Sequence, residues 1–163
     1  MEYFFYTYDS WSLGFHLIGF LIPFVIATAT LTYLVWKKNT DKIQLLIAIM
    51  AVSIISIICS VATVDKGVVT VFPLTLFPSI ASLLFKDKNQ IPYSYSITVI
   101  SIVICDFVYL PSLLTQSIPT PMHAVIGGAG IYDMIFVSGF TTILLHITAD
   151  TIRKLYKRIR HTI

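Results

Sequence analysis

The chain has 163 residues, of which 56% are hydrophobic and only 12% are charged, and its mean hydropathy is +0.85. Soluble domains usually carry about 25% charged residues, and here the apolar residues come in continuous runs rather than amphipathic stripes. We therefore predict an integral membrane protein, in which the bilayer replaces a soluble core. The formal charge of +3 does not indicate a nucleic-acid partner, because the basic residues cluster at the ends of the apolar runs.

Five apolar runs predict five transmembrane helices. The first, residues 11–36, exceeds the ~20 residues that a crossing needs, so we expect this helix to tilt. The second covers residues 43–64. The third, residues 68–85, contains Pro73 and Pro78 and predicts either a kinked packing helix, which we favour, or two half-helices that meet within the membrane.

The last two runs complete the predicted bundle. The fourth covers residues 92–114, with a kink expected near Pro111, and the fifth covers residues 122–147. The tail, residues 152–163, predicts a basic helical segment beside the membrane, where it can contact anionic headgroups. The whole chain is expected to form a single transmembrane domain of the all-α class.

The distribution of lysine and arginine orients the predicted bundle. The loops after the first and third runs and the tail carry ten of these residues together, whereas the opposite side carries only Lys66. Positive residues accumulate on the cytoplasmic side of membranes, so we predict an outside N-terminus and a cytoplasmic C-terminus. We expect a multi-pass protein of the cytoplasmic membrane, in contact with lipid and with identical or different membrane proteins.

Two aspartates interrupt the apolar runs, Asp106 in the fourth and Asp133 in the fifth. An ionised side chain in hydrocarbon costs roughly 2.5–3.5 kcal/mol on insertion scales, which favours a functional role. Each aspartate lies 14 residues from the predicted inner end of its run, Pro92 or Ile147, or ~21 Å at helical rise. Because the two runs are antiparallel, we expect the carboxyls at equal depth, in the outer half of a ~30 Å hydrocarbon core.

The residues around the aspartates are predicted to bind a substrate or an ion. Glycines before the second aspartate would let another backbone approach closely, or let the helix unwind and admit water. Two tyrosines lie near the same faces. These flanking residues are Tyr109, Tyr132, Gly127, Gly128 and Gly130.

Three interpretations of the aspartate pair remain open. Two close carboxyls cannot easily both ionise, so one would hold its proton near neutral pH and the pair would titrate as a unit. As catalytic residues, Asp106 and Asp133 could activate water for amide hydrolysis, one as base and the other as acid. They could instead bind a proton or a cation in transport. In the structural interpretation they are protonated and hydrogen-bonded, and hold together the bundle or a larger complex of which this chain is a small subunit.

The histidines are not expected to belong to this site. His16 lies near the membrane interface, and the sequence offers it no partner. His123 and His146 lie ten and thirteen residues from Asp133, at other levels of the fifth run. We therefore predict neither a metal site nor a cofactor.

The segments around the aspartates, residues 101–110 and 126–139, resemble an uncharacterised family of archaeal and bacterial multi-span membrane proteins that is known as a domain of unknown function. The proline-bearing residues 67–78 resemble the third span of that family, so the likeness covers roughly residues 67–145. More distantly, two intramembrane aspartates with a glycine-rich stretch before the second resemble the presenilin and signal-peptide-peptidase group of aspartyl proteases. That resemblance implies proteolysis within the membrane, with the two aspartates as the catalytic pair.

Overall fold

We describe the fold from a computed structural model of the chain. The residues that the structure describes are 2–8, 11–37, 41–63, 67–70, 76–82, 90–115 and 122–162. The elements in chain order are β1 (Glu2–Tyr8), β2 (Trp11–His16), a π-helical turn (Leu17–Leu21), α1 (Ile22–Lys37), α2 (Lys42–Cys59), β3 (Ser60–Thr63), β4 (Gly67–Thr70), α3 (Leu76–Ser82), α4 (Gln90–Thr115), β5 (Met122–Ile126), a 3-10 turn (Gly130–Tyr132) and α5 (Met134–Thr162).

Within the described residues, four helical segments are long and apolar enough to cross a membrane: Leu17–Trp36, Lys42–Cys59, Ile91–Ser112 and Met134–Tyr156. Large apolar side chains stand on their outer surfaces, among them Ile58, which is 76% exposed. Such a surface is stable in lipid and not in water. The chain is therefore an integral membrane protein that is mostly helical, as the apolar runs predicted. Its basic tail continues α5 as a helix to Thr162.

The third predicted span is not a continuous helix in the part of the chain that is described. It contains the four-residue strand β4 and the seven-residue helix α3, neither of which is long enough to cross a membrane. Pro78 lies in the first turn of α3, where its missing N–H is tolerated. Pro73 lies outside the described residues. The prediction of five transmembrane helices is therefore not confirmed.

The first and fifth predicted helices begin later than expected, because each is preceded by a strand. β1 and β2 pair antiparallel and β2 and β5 pair parallel, which gives a sheet with the order β1–β2–β5. The prediction of helix from residues 11 and 122 was therefore wrong. The reason is visible in β2, Trp-Ser-Leu-Gly-Phe-His, where large apolar residues alternate with small or polar ones at the period of a strand.

Hydroxyl groups of α4 hydrogen-bond to the backbone of α2. Ser101 Oγ donates to the Ile49 carbonyl at 3.0 Å, and Tyr109 Oη lies 2.8 Å from the Ile57 carbonyl. Residue numbers rise together in the two pairs, so α2 and α4 run parallel. α4 therefore begins at the same end of the bundle as α2.

α4 and α5 run antiparallel and are in register at two threonines. The hydroxyls of Thr98 and Thr142 are joined by a buried hydrogen bond of 3.1 Å. One turn away, a Cβ added to Gly139 would lie 2.9 Å from the ring of Tyr95, so the two helices approach closely there. This register determines which residues of α4 and α5 lie at the same level.

The buried apolar residues form two clusters, and α4 contributes to both. One cluster joins α4 to the π-helical turn, β5 and α5 through Phe20, Ile126 and Ile135. The other joins α4 to α1, α2 and α3 around Leu34 and Ile97. The first cluster lies beside the candidate site and holds the end of β5 against α4.

Candidate functional site

Tight turns connect β5 to α5, so the fifth predicted helix is unwound where its glycines lie. Gly127 and Gly130 have φ values of 76° and 64°, a left-handed conformation that glycine adopts without strain. The Gly130 amide donates to the Gly127 carbonyl at 2.9 Å, and the Asp133 amide donates to the Gly130 carbonyl at 3.1 Å. These turns deliver Asp133 to the first residue before α5, rather than to the middle of a helix.

The side chain of Asp133 caps the N-terminus of α5. Its Oδ1 accepts a hydrogen bond of 3.0 Å from the amide of Ile135, and the carboxylate also accepts from the amide of Ala129. An aspartate is among the best residues at this position, and the positive end of the helix dipole favours its negative charge. The carboxyl therefore has backbone donors that stabilise its ionised form.

Asp106 lies on α4 at the level of Asp133. It is eight residues beyond Thr98, and Asp133 is nine residues before Thr142, so each lies about 12–14 Å from the threonine contact at helical rise. No hydrogen bond joins the two carboxyls in the described part of the chain. Asp106 is partly buried and accepts no hydrogen bond from any residue that the structure describes. The two aspartates thus lie at the same level of the bundle, one on α4 and the other immediately before α5.

His16 is a third ionisable residue beside the aspartates, and we did not expect it there. Its Nδ1 accepts a hydrogen bond of 3.1 Å from the amide of Gly19, which caps the π-helical turn. A Cβ added to Gly130 would lie 3.3 Å from its Cε1, so the imidazole packs against the glycine turn. His16 also interacts electrostatically with Asp133.

The signal that would have located His16 is the pairing of β2 with β5. Their parallel register places Phe15 opposite Ile126, so the residues that follow these two strands leave the sheet side by side. A prediction of helix for both segments gives no reason to expect this pairing, because helices do not form hydrogen bonds to one another along their backbones. The alternation in β2 would have indicated the strand, but not its partner.

A backbone contact between two turns holds His16 in place. A Cβ added to Gly127 would lie 2.6 Å from the Phe20 amide nitrogen, and one added to Gly19 would lie 2.9 Å from the Gly127 carbonyl carbon. Such distances leave no room for a side chain on either turn. The π-helical turn and the glycine turn are therefore in direct backbone contact. His16 immediately precedes the first of these turns, and Asp133 follows the second.

The remaining predicted site residues are placed differently. The hydroxyl of Tyr109 lies 2.8 and 2.9 Å from the carbonyls of Ile57 and Ser60, so it joins α4 to the end of α2. Tyr132 precedes Asp133 and is 82% exposed. Gly128 is also exposed, whereas Gly127 is buried in the turn-to-turn contact. The tyrosines thus border the site without hydrogen-bonding to its carboxyls.

Within the described residues, no group of three or more histidine, cysteine, aspartate or glutamate side chains could hold a metal ion. A comparison with curated proteins found no match, and neither did a comparison with solved structures. A comparison with protein families matched residues 8–145, which include β2, both aspartates and His16, to one family. Because this match covers most of the chain, the protein belongs to the family described as protein of unknown function (DUF1614).

Proposed function

We propose that this membrane protein is a component of proton-coupled transport in which Asp106 and Asp133 share one proton. The observation that carries the proposal is that the two aspartates lie at the same level of the bundle, one on α4 and the other at the break before α5. Carboxyls that share a site do not easily ionise together, so the pair can take up and release a proton. Ionisable residues at membrane depth typically mark the paths of protons or ions.

The surroundings of the two carboxyls favour different roles. Asp133 accepts a hydrogen bond from the amide of Ile135 and lies at the positive end of α5, so its surroundings accommodate a negative charge better than those of Asp106 do. Asp106 has no such donor in the described structure and holds the shared proton. Uptake of a second proton neutralises Asp133, and its release restores the charge.

His16 contributes to the surroundings of the pair. It lies where β2 ends, outside the four long helices, and packs against the glycine turn that precedes Asp133. Its Nδ1 accepts a hydrogen bond from the amide of Gly19, so His16 holds the end of β2 beside this turn.

The same proposal includes five crossings, with the N-terminus outside and the C-terminus in the cytoplasm of the cytoplasmic membrane. The parallel arrangement of α2 and α4 supports it, because two parallel helices begin on the same side of a membrane. The ten-to-one distribution of basic residues supports it as well. We expect a cysteine at Tyr132 to react with a membrane-impermeant thiol reagent in intact cells. A cysteine at Arg153 should react only after permeabilisation, and the reverse pattern would contradict this orientation.

We also propose that the chain works with partners in the bilayer, as further copies or as a subunit of a larger membrane complex. Ile58 and other large apolar side chains are exposed around the four long helices of the described part, and such a surface can pack against another membrane protein as well as against lipid. Gentle extraction from the native membrane, followed by identification of the co-purifying proteins, tests this. Purification as a monomer alone would contradict it.

Replacement of Asp106 by asparagine tests the proton-binding role. In vesicles that contain the purified protein and a pH-sensitive dye, we expect Asp106→Asn to lower proton flux about a hundredfold, the lower end of what a positioned proton-transfer group contributes. The matched control is Asp41→Asn, because Asp41 is an exposed aspartate that caps α2 and asparagine is an equally good cap. Its flux should equal that of the unsubstituted chain. Flux through Asp106→Asn at the level of this control would refute the proposal.

Intramembrane proteolysis is the second candidate, and the position of β5 favours it. Within the described structure β5 pairs on one side only, with β2, and it leads directly into the turns before Asp133. An extended substrate could add to its other edge by strand pairing and reach the two carboxyls, one as base and one as acid. Cleavage of a transmembrane reporter by the unsubstituted chain but not by Asp106→Asn, in vesicles without proton flux, would establish this function instead.

A further inference from the structure

One face of α5 carries polar side chains at every fourth residue, and this set, Ser138, Thr142, His146 and Asp150, is called the α5 polar face below. Residues four apart lie above one another on a helix, so the face is continuous. The first three residues are buried, whereas Asp150 is partly exposed at the inner end. The α5 polar face therefore runs from one turn below the aspartate pair to the far end of the span.

His146 is the unusual member of this face. The side chain is 7% exposed, and its Nε2 is buried without a hydrogen-bond partner in the described part of the structure. A buried polar nitrogen without a partner is costly and therefore rare. Packing alone does not account for it, since an apolar residue of similar size would fill the same space without that cost.

On α5, a hydroxyl group precedes His146 by one turn and a carboxylate follows it by one turn. Thr142 lies one turn before it and is hydrogen-bonded to Thr98 of α4. Asp150 lies one turn after it and interacts with it electrostatically. Among the described residues, the register of the two helices places Tyr93 of α4 at the level of His146, and Arg153 lies 3.9 Å from the carboxylate of Asp150. The described helix α3, Leu76–Ser82, contributes no titratable side chain.

We propose that His146 carries protons between the aspartate pair and the inner end of α5, along the α5 polar face. This proposal rests on the proton-binding function of Asp106 and Asp133. The hydroxyls of Ser138, Thr142 and Thr98, with water between them, relay a proton from Asp133 to one ring nitrogen of His146. The ring releases its other proton to Asp150, which passes it to the aqueous phase. Each transfer moves one proton and breaks no other bond, and the ring returns to its neutral form.

The alternative is that the polar face only packs helices together. Thr142 fits that view, because its hydroxyl donates to the Ser138 carbonyl at 2.8 Å, as buried threonines in helices commonly do. His146 does not fit it, because its Nε2 contributes no hydrogen bond to the described bundle. The proton path explains both the burial of the imidazole and the repeat of polar residues toward Asp150.

The test compares His146→Phe with the unsubstituted chain in dye-loaded vesicles, together with Asp106→Asn. We expect His146→Phe to lower proton flux about a hundredfold, because phenylalanine fills the space but cannot take up a proton. Infrared difference spectra should still show the protonation change of the aspartate pair, which lies on the outer side of the block. Thr148→Val is the matched control, since Thr148 is an exposed residue of the same helix, and its flux should be unchanged. If His146→Phe does not fold, Thr142→Val interrupts the same path and should lower the flux as well.

The possible results separate this inference from the proposed function. Normal flux through folded His146→Phe, with flux abolished in Asp106→Asn, would overturn the role of His146 and leave the aspartate pair intact. Flux that neither substitution lowers would overturn both. Loss of flux in His146→Phe together with loss of the aspartate signal would assign His146 a structural effect and also overturn the path.

Discussion

Replacement of Gly19 by alanine is expected to unfold the end of the bundle that carries the sheet β1–β2–β5. The added Cβ would collide with the carbonyl oxygen of Gly127 and would lie 2.9 Å from that of Gly130. Both atoms belong to the backbone, so no rotamer change can relieve the collision. Overpacking of side chains alone typically costs about 1–3 kcal/mol, and we expect more than about 3 kcal/mol here. Thermal unfolding in detergent and the yield of monodisperse protein measure the loss.

Two other glycines provide the comparison. Gly127→Ala should be as damaging, since its Cβ would lie 2.6 Å from the Phe20 amide nitrogen and its φ of 76° disfavours a side chain. Gly128→Ala should cost only about 1 kcal/mol, because Gly128 is exposed and the nearest atom, the Val125 carbonyl oxygen, is 3.0 Å away. If Gly19→Ala and Gly128→Ala unfolded at the same temperature, the contact between the two turns would be wrong.

The level of the two aspartates could be predicted because it depends only on helical rise. Counting from Pro92 and Ile147 placed both carboxyls 14 residues from the inner ends of their runs. The hydrogen bond between Thr98 and Thr142 gives nearly the same result from inside the bundle. An error of a few residues in a helix end shifts such an estimate by one turn at most. The relative level of two residues on antiparallel helices can therefore be estimated from the sequence.

The sheet β1–β2–β5 and the position of His16 could not be predicted, because they depend on contacts between distant parts of the chain. β2 and β5 pair although more than 100 residues separate them, and the register of Phe15 with Ile126 follows from that pairing. Neither strand contains information about its partner, and both precede long apolar runs that favour a helix throughout. The alternation of Trp11, Leu13 and Phe15 with smaller or polar residues was the local signal, and high overall hydropathy concealed it.

For the third predicted span, residues 68–85, the sequence left two alternatives open. Its length of 18 residues and its two prolines indicated either a kinked helix or a broken one, and apolar composition does not distinguish between them. The described part contains β4 and then α3, in which Ser79 Oγ donates to the Ser138 carbonyl at 2.9 Å. A helix of seven residues is not stable by itself, so α3 depends on its contact with α5. The sequence of the third run does not contain that contact.

Asp133 is the residue at which the structural and proton-binding interpretations give opposite predictions. Because it caps α5 through the amide of Ile135, removal of its carboxyl affects both stability and charge. Asp133→Asn separates the two, since asparagine caps a helix as well as aspartate does but does not titrate. We expect the free energy of unfolding of Asp133→Asn to lie within about 0.5 kcal/mol of that of the unsubstituted chain. Its proton flux should be about a hundredfold lower. Thermal unfolding and the dye-loaded vesicles measure the two quantities on the same preparation.

Alanine at the two capping aspartates completes the test. Asp133→Ala should lower stability by about 1 kcal/mol and should also abolish flux. Asp41 caps α2 in the same way, since its carboxylate accepts from the amides of Ile43 and Gln44 at 2.9 and 3.4 Å. Asp41→Ala should therefore lower the free energy of unfolding by a similar amount and leave the proton flux unchanged. If Asp133→Asn conducted protons normally while Asp133→Ala lost both stability and flux, the carboxyl of Asp133 would serve only as a helix cap. The shared proton would then have no second carboxyl to bind.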